Sequence, residues 1–362
     1  MPADRRAERQ AGLRSALGAE GLDGLLVTHL PNVRYLTGFT GSAALLLVHT
    51  EATVLVTDFR YAVQASQEVD GAASVEVDRK SVWDRLGRVL AGFPVGALGI
   101  EAHALTVKDA ERVAGLTRSR MVPAGDHVER LRVVKSPEEV SAIRAAAELA
   151  QDALDEVLPT IRTGQQEREI GAALEAALRR RGSEWHPFPT IVASGPRSAL
   201  PHARTSGRTV GRGDWLLLDF GAQVDGYCAD LTRTVVVGAP ADERQRAMYE
   251  LVRCAQRRAL EQLRPGMTGR EGDALAREVI VGRGFGEAFG HSLGHGLGLE
   301  VHEAPRLAPT SDAPVPQGAV VTVEPGVYFP GWGGVRLEDD LYLGVEGPEL
   351  LSNGRTELVE LV

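Results

Sequence analysis

Hydrophobic positions recur along this chain with two different periods, and the alternation between them outlines its elements. Over residues 4–19 the apolar Leu13, Ala16 and Leu17 share one face of a helical pattern, whereas Leu25–Val27 is a short apolar run suited to a buried strand. Beyond Asn32–Gly38, the apolar runs 43–48 and 53–57 read as strands joined by a loop, the second leading into Asp58-Phe-Arg-Tyr61. Helical spacing returns over 82–90 and 106–116, with strand-like Ala97–Ile100 between. Strands and helices alternating in this way predict a small α/β domain over residues 1–130. The pattern changes near Ser136-Pro137-Glu138-Glu139, where Ser136 is suited to cap a helix, Pro137 to occupy its first turn and the two glutamates to complement its N-terminus. From there the spacing predicts a long helix to about Leu158, a break over 159–164 and a helix over 166–181. Strands follow at 190–193, 215–220 and 232–237, then helices at 241–263 and 270–283 around a turn at 264–268. Everything after reads as strand or loop. Residues 131–362 are therefore expected to form an α+β domain built on one large, mainly antiparallel sheet.

Composition narrows the function classes. At 362 residues the chain exceeds the usual single-domain size, and 43% hydrophobic with 25% charged residues describes an ordinary globular protein, not a disordered or fibrous one. A net charge of −9 with no Lys/Arg block argues against a nucleic-acid partner. Apolar runs such as 43–48 and 320–323 are strand-sized, far short of the roughly 20 residues a membrane span needs. Two cysteines, Cys228 and Cys254, and no apolar signal core at the N-terminus fit a reduced, cytoplasmic protein.

The chemistry concentrates in the C-terminal half. Of nine histidines, His291, His295 and His302 fall within twelve residues, among Gly294, Gly296 and Gly298. Such glycines suit a backbone that something approaches closely, and clustered imidazoles suit metal binding or catalysis, though solvated or core histidines would read alike. Asp219 ends an apolar strand pattern, Asp230 follows a turn at Val224-Asp-Gly-Tyr227, Glu324 alternates against Val321 and Val323, and Glu338 precedes Asp339 and Asp340. Singly, each acid also reads as a turn former, a cap or a solvated charge. Taken with one histidine they form a thiolate-free set suited to manganese, cobalt or zinc, and five ligands suit two ions sharing carboxylates better than one catalytic zinc. Such a pair would hold a hydroxide and polarise a carbonyl, which is acyl hydrolysis without a side-chain nucleophile.

Six motifs carry a resemblance: Leu218-Asp-Phe-Gly221, Ala229-Asp-Leu-Thr-Arg-Thr234, His291 to Gly298 with Val301-His-Glu303, Val323-Glu-Pro-Gly-Val-Tyr328, Val335-Arg-Leu-Glu-Asp-Asp340, and Ser194 to Arg204. With these the chain resembles the creatinase/aminopeptidase metallopeptidases of pita-bread fold, most closely their Xaa-Pro branch, the aminopeptidase P and prolidase type. The resemblance extends to a creatinase-like N-terminal domain through Pro31 to Phe39 and Asp58 to Tyr61. It implies two divalent metal ions, manganese foremost with cobalt or zinc as alternatives. Asp219 would chelate one ion, Asp230 and Glu338 would bridge both, and His295 and Glu324 would complete the shells. It further implies His202 and His302 as proton-handling catalytic residues, Glu324 as the acceptor of the water proton, Arg336 as a supporting arginine, and His291 as a substrate contact; the spacing of two between Arg336 and Glu338 puts them on the same strand face. The implied substrate is a small peptide with proline at its second position, and the implied assembly a homodimer. A non-catalytic binding or scaffold protein of the same fold is the alternative, and the complete ligand set disfavours it.

Overall fold

The computed structural model describes residues 3–93, 95–352 and 356–362, and they separate into two compact units, Met1–Arg132 and Val133–Val362. In the first, the helix α1 (Ala3–Ala19) leads to β1 (Gly24–Val27), α2 (Leu30–Thr37), β2 (Ala44–His49), β3 (Thr53–Asp58) and α3 (Ala62–Val69). β4 (Ser74–Asp78), α4 (Val82–Gly92), β5 (Ala97–Glu101), α5 (Val107–Leu116), β6 (Arg120–Ala124) and α6 (His127–Val133) follow. One six-stranded sheet runs β4-β3-β2-β1-β5-β6, parallel at β3–β4, β1–β5 and β5–β6 and antiparallel at the other two pairings. α2 occupies the segment that hydrophobic patterning leaves without an element. Pro31 sits in its first turn and Gly38, at φ +82°, ends it in the left-handed conformation that glycine tolerates.

In the second unit α7 (Pro137–Val157) opens with the expected cap: Ser136 Oγ accepts from the Glu139 N–H while the Glu139 carboxylate accepts from the Ser136 N–H. α8 (Glu167–Arg181), β7 (Ile191–Ser194), β8 (Asp214–Phe220), β9 (Gln223–Val224), β10 (Tyr227–Cys228) and β11 (Leu231–Val237) come next. Then come α9 (Glu243–Gln262), α10 (Gly269–Gly282), β12 (Gly294–Gly296), β13 (Glu303–Leu307), β14 (Val320–Val323), β15 (Gly326–Phe329), β16 (Gly333–Arg336), β17 (Asp339–Gly344), β18 (Gly347–Leu350) and β19 (Glu360–Leu361). The single large sheet expected from the strand pattern is divided. One sheet runs β19-β11-β8-β7 and another β13-β12-β14-β17-β18, with the β9–β10 and β15–β16 ribbons beside them. An isolated bridge between Thr232 of β11 and Glu338, just before β17, links the two larger sheets.

Strand alternation assigns the faces. In β8, Leu216, Leu218 and Phe220 pack with Leu154 and Leu174 of α7 and α8, so Trp215, Leu217 and Asp219 point to the opposite side. In β14, Val321 and Val323 pack with Val252 and Ile280 of α9 and α10, which leaves Thr322 and Glu324 facing away from that core. Two helical layers thus cover the outer faces, and the polar residues of the inner faces meet. Among the described residues, no helix is long and apolar enough to cross a membrane.

Candidate metal centre

Backbone geometry brings the acids together. β8 and β11 pair so that Asp219 lies opposite Thr232, and the turn joining β9 to β10 places Asp225 (φ +48°) and Gly226 (φ +75°) in the left-handed region a tight hairpin needs. β12 is threaded closely between neighbours: a Cβ at Gly294 would lie 2.0 Å from Thr322 O, and one at Gly296 would lie 2.1 Å from Ala304 O. Glycine is therefore required on both sides of His295, where the register with β13 also shifts.

Asp230, His295 and Glu338 offer ligand atoms that all lie within 4.8 Å of one another. Glu324 joins them, with Oε1 3.5 Å from His295 Nε2, and Asp230 Oδ2 lies 3.8 Å from the same nitrogen. The other ring nitrogen, Nδ1, is 3.0 Å from Gly296 O. Donation from Nδ1–H to that carbonyl leaves Nε2 as a lone pair facing the acids. Asp219 is gripped at Oδ2 by the Arg336 guanidinium. Asp219 Oδ1 and Asp230 Oδ1 are buried without a hydrogen-bond partner, which is costly for a carboxylate unless a cation takes the place of the missing donors.

Electrostatics sharpen this. Burial first, and then the charge of Glu338, hold the Asp230 and Glu324 carboxyls well above the usual carboxylate range. Glu338 is pushed up to about 8 by burial and by Asp219, and Asp219 is raised by burial although Arg336 opposes the shift. Burial pushes the His295 imidazole down to about 4, so at neutral pH it is an uncharged ligand. Four buried carboxylates repel one another, and Arg336 offsets only part of that charge. The donor set therefore fits divalent cations: hard oxygens, one neutral imidazole, no thiolate and two carboxylate oxygens without donors.

Arg336 also donates to Tyr328 OH at 2.9 Å, Pro201 O at 3.1 Å and Thr232 Oγ1 at 3.1 Å, and Thr232 Oγ1 donates to Glu338 Oε2 at 2.6 Å. Arg336 closes β16 and Glu338 lies between β16 and β17, so the two do not share a strand as their spacing suggested; Thr232 joins them instead. Tyr328 OH is 2.9 Å from His291 Nε2, and burial holds His291 down to about 4. His302 stacks edge-on against His295 with ring centroids 4.5 Å apart, while His202 lies exposed in the loop after Leu200. The reading of Glu338, Asp339 and Asp340 as a solvated acidic turn does not hold: all three are buried. Asp340 accepts the Asp230 N–H at 3.2 Å, and Asp339 pairs with Arg233, which also donates to Glu338 O. Patterning assigned no role to Thr232, Arg233 and Tyr328; only their places inside the six motifs could have pointed to them.

The profile of metallopeptidase family M24 matches residues 141–344, and that of the creatinase/prolidase N-terminal domain matches residues 9–134. The chain belongs to metallopeptidase family M24. Membership of a metallopeptidase family implies divalent metal ions, in keeping with the donor set. An uncharacterized peptidase of Bacillus subtilis is 42% identical to this family member over 96% of this chain and 99% of its own. A solved structure described as Xaa-Pro dipeptidase from Bacillus anthracis superposes with a TM-score of 0.95 at 40% identity, covering 98% of this chain and 100% of that one. An X-Pro aminopeptidase from Thermotoga maritima gives 0.89 at 38% identity, covering 97% and 99%.

Proposed function

We propose that this M24 protein is a metal-dependent Xaa-Pro peptidase that hydrolyses the bond between an N-terminal residue and proline in small peptides. The observation that carries the reading is the completeness of the buried set Asp219, Asp230, His295, Glu324 and Glu338, with two carboxylate oxygens lacking donors, in a chain so similar to a structure described as an Xaa-Pro dipeptidase. These five residues would hold two divalent ions, manganese foremost and cobalt or zinc as alternatives. Ions bound there supply Lewis acidity and make water acidic enough to react at neutral pH.

The chain's own side chains do the rest. Glu324 receives the proton that water gives up, its carboxylate standing inside the buried cluster with Oε1 3.5 Å from His295 Nε2. His302 and His202, both exposed, carry protons between the buried acids and solvent. Proline's nitrogen bears no hydrogen in the peptide, so it must gain one as it leaves, and these histidines are the candidates to deliver it. His291, held through Tyr328, contacts the substrate. Arg336 keeps Asp219 and Tyr328 in place. All of these residues lie in the domain proposed to span 131–362, with 1–130 as its N-terminal companion in a cytoplasmic homodimer.

The similarity to an X-Pro aminopeptidase supports a second reading, removal of the first residue from longer peptides. Metal-stripped protein refilled with manganese and offered a free Xaa-Pro dipeptide and a longer Xaa-Pro peptide separates the two. Proline released from the dipeptide alone identifies a dipeptidase, and first-residue release from the longer peptide an aminopeptidase, each abolished in Glu324→Ala. Inactivity toward both, with metal bound, would favour a non-catalytic peptide-binding protein.

A further inference from the structure

The N-terminal unit carries a second group of metal-ligand side chains, His29, His103 and Glu129, whose ligand atoms all lie within 4.8 Å of one another. Its position follows from the sheet. β1 and β5 are parallel neighbours paired Leu26 to Ile100, so His29 and His103, each two residues beyond its strand, emerge side by side at the carboxyl edge. The chain leaves β1 toward β2 on one side and leaves β5 toward β6 on the other. The gap between β1 and β5 is thus the point where the strand order reverses, the place where open α/β sheets bind ligands. Glu129, on α6, closes the group.

The geometry is that of ligands gathered around one point. His103 Nε2 lies 3.1 Å and His29 Nδ1 3.9 Å from the same oxygen, Glu129 Oε1, and the two rings meet edge to face with centroids 5.4 Å apart. Two ligand atoms bound to one tetrahedral zinc at about 2.0–2.1 Å sit roughly 3.3 Å apart, so small movements bring this set into a coordination shell. An ion pair would need one imidazole; here two converge on one carboxylate oxygen. That carboxylate is oriented from behind. Asn32 Nδ2 donates to Glu129 Oε1 at 2.5 Å and to Glu101 Oε1 at 2.7 Å, and Arg132 donates to Asn32 Oδ1 at 2.7 Å. Glu101 Oε2 in turn accepts the Thr28 and His29 N–H groups at 2.7 and 2.8 Å, fixing the backbone that carries His29. Ligands held by an outer hydrogen-bonded layer are the usual construction of a metal site. Burial works to raise Glu129, but the neighbouring His29 imidazole and the hydrogen bond from Asn32 hold it down to about 2, so it is ionised at neutral pH. The three side chains are each between 24% and 40% exposed, which leaves an ion a path in and a position for water.

We propose that His29, His103 and Glu129 bind one divalent transition-metal ion, zinc foremost, at the carboxyl edge of the N-terminal sheet, apart from the carboxylate-rich centre. Two imidazoles and one carboxylate select zinc, cobalt or nickel over magnesium or calcium.

The test counts metal on the full-length protein. Stripped chain is equilibrated with micromolar zinc, freed of excess by gel filtration and assayed for zinc per chain, alongside His103→Ala and the double variant His29→Ala/His103→Ala. Each variant is expected to hold one zinc fewer per chain than the parent, whatever the other centre holds, with His103→Cys restoring the lost ion. Asn32→Ala is expected to weaken this zinc about 10- to 100-fold in competition with a chromophoric chelator. Equal zinc content in the parent and a folded His103→Ala, whose ring is at the surface, would overturn the proposal; if the double variant misfolds, this single variant decides.

Discussion

The carboxylate centre is organised by a few side chains that receive several contacts at once, and Arg336 is foremost among them. Its guanidinium holds Asp219, Tyr328 and Thr232 while fully enclosed, and although burial opposes its charge, Tyr328 and the surrounding acids keep it protonated. Replacing one partner of a buried ion pair strands the other, at a cost of about 3–5 kcal/mol. Arg336→Met is accordingly expected to lower the urea-unfolding free energy of the metal-free protein by about that amount, and Arg336→Lys by less, because an ammonium cannot match the planar fork. An unchanged urea midpoint for Arg336→Met would contradict the central place given to this residue. At this scale the ligand types were legible: carboxylates and an imidazole spaced among glycines and strand patterns announce themselves. Arg233, Asp339 and Asp340 were not, because nothing in local spacing distinguishes a buried acid facing an arginine more than a hundred residues away from an acid in solvent.

Elements position these residues through close backbone approach. β12 tolerates no side chain at Gly294, where Thr322 O would meet the new Cβ at 2.0 Å, whereas Gly282 near the end of α10 has nothing within 4 Å of a Cβ. Gly294→Ala is expected to destabilise the protein by at least about 1–3 kcal/mol and to reduce metal retention by moving His295. Gly282→Ala should be neutral or stabilising by up to about 1 kcal/mol, reflecting the helix preference of alanine. Thermal unfolding and metal analysis of the two variants test the contrast. Central strands and capped helices were legible because their periodicity is local. β4 and β6 escaped because they are sheet edges only partly buried, mixing polar residues such as Glu76 and Arg120 into the run. α2 escaped because Pro31 and Asn32 read as punctuation, although the proline sits in the first turn of a helix.

For the whole molecule, the cluster of acids links stability to pH and to metal. Asp230, Glu324 and Glu338 have folded-state values above the ordinary carboxylate range, so the metal-free folded chain binds protons that the unfolded chain has released. Stability contributed in this way is fully present below about pH 4.5 and is lost as pH rises toward about 8, the value of Glu338. Metal-free protein is expected to melt at a higher temperature at pH 6 than at pH 8, and manganese should raise the melting temperature more at pH 8, where fewer protons compete with the ion for the acids. A metal-free melting temperature that rises between pH 6 and pH 8 would contradict this. The division of the predicted single sheet into two also belongs to this scale: pairing between β11 and the segment before β17 is set by buried side chains distant in sequence, which periodicity does not report.

The central claim is that the buried acids and His295 make this M24 chain a metal-dependent Xaa-Pro peptidase. The most direct measurement is proline release from an Xaa-Pro dipeptide and first-residue release from a longer Xaa-Pro peptide by stripped protein titrated with manganese, beside Asp230→Asn treated identically. The account predicts no hydrolysis without metal, activity that rises with bound manganese and saturates, and little or none in the variant. Stripped protein that cleaves as well as refilled protein, or metal-filled protein that cleaves neither peptide, would contradict it.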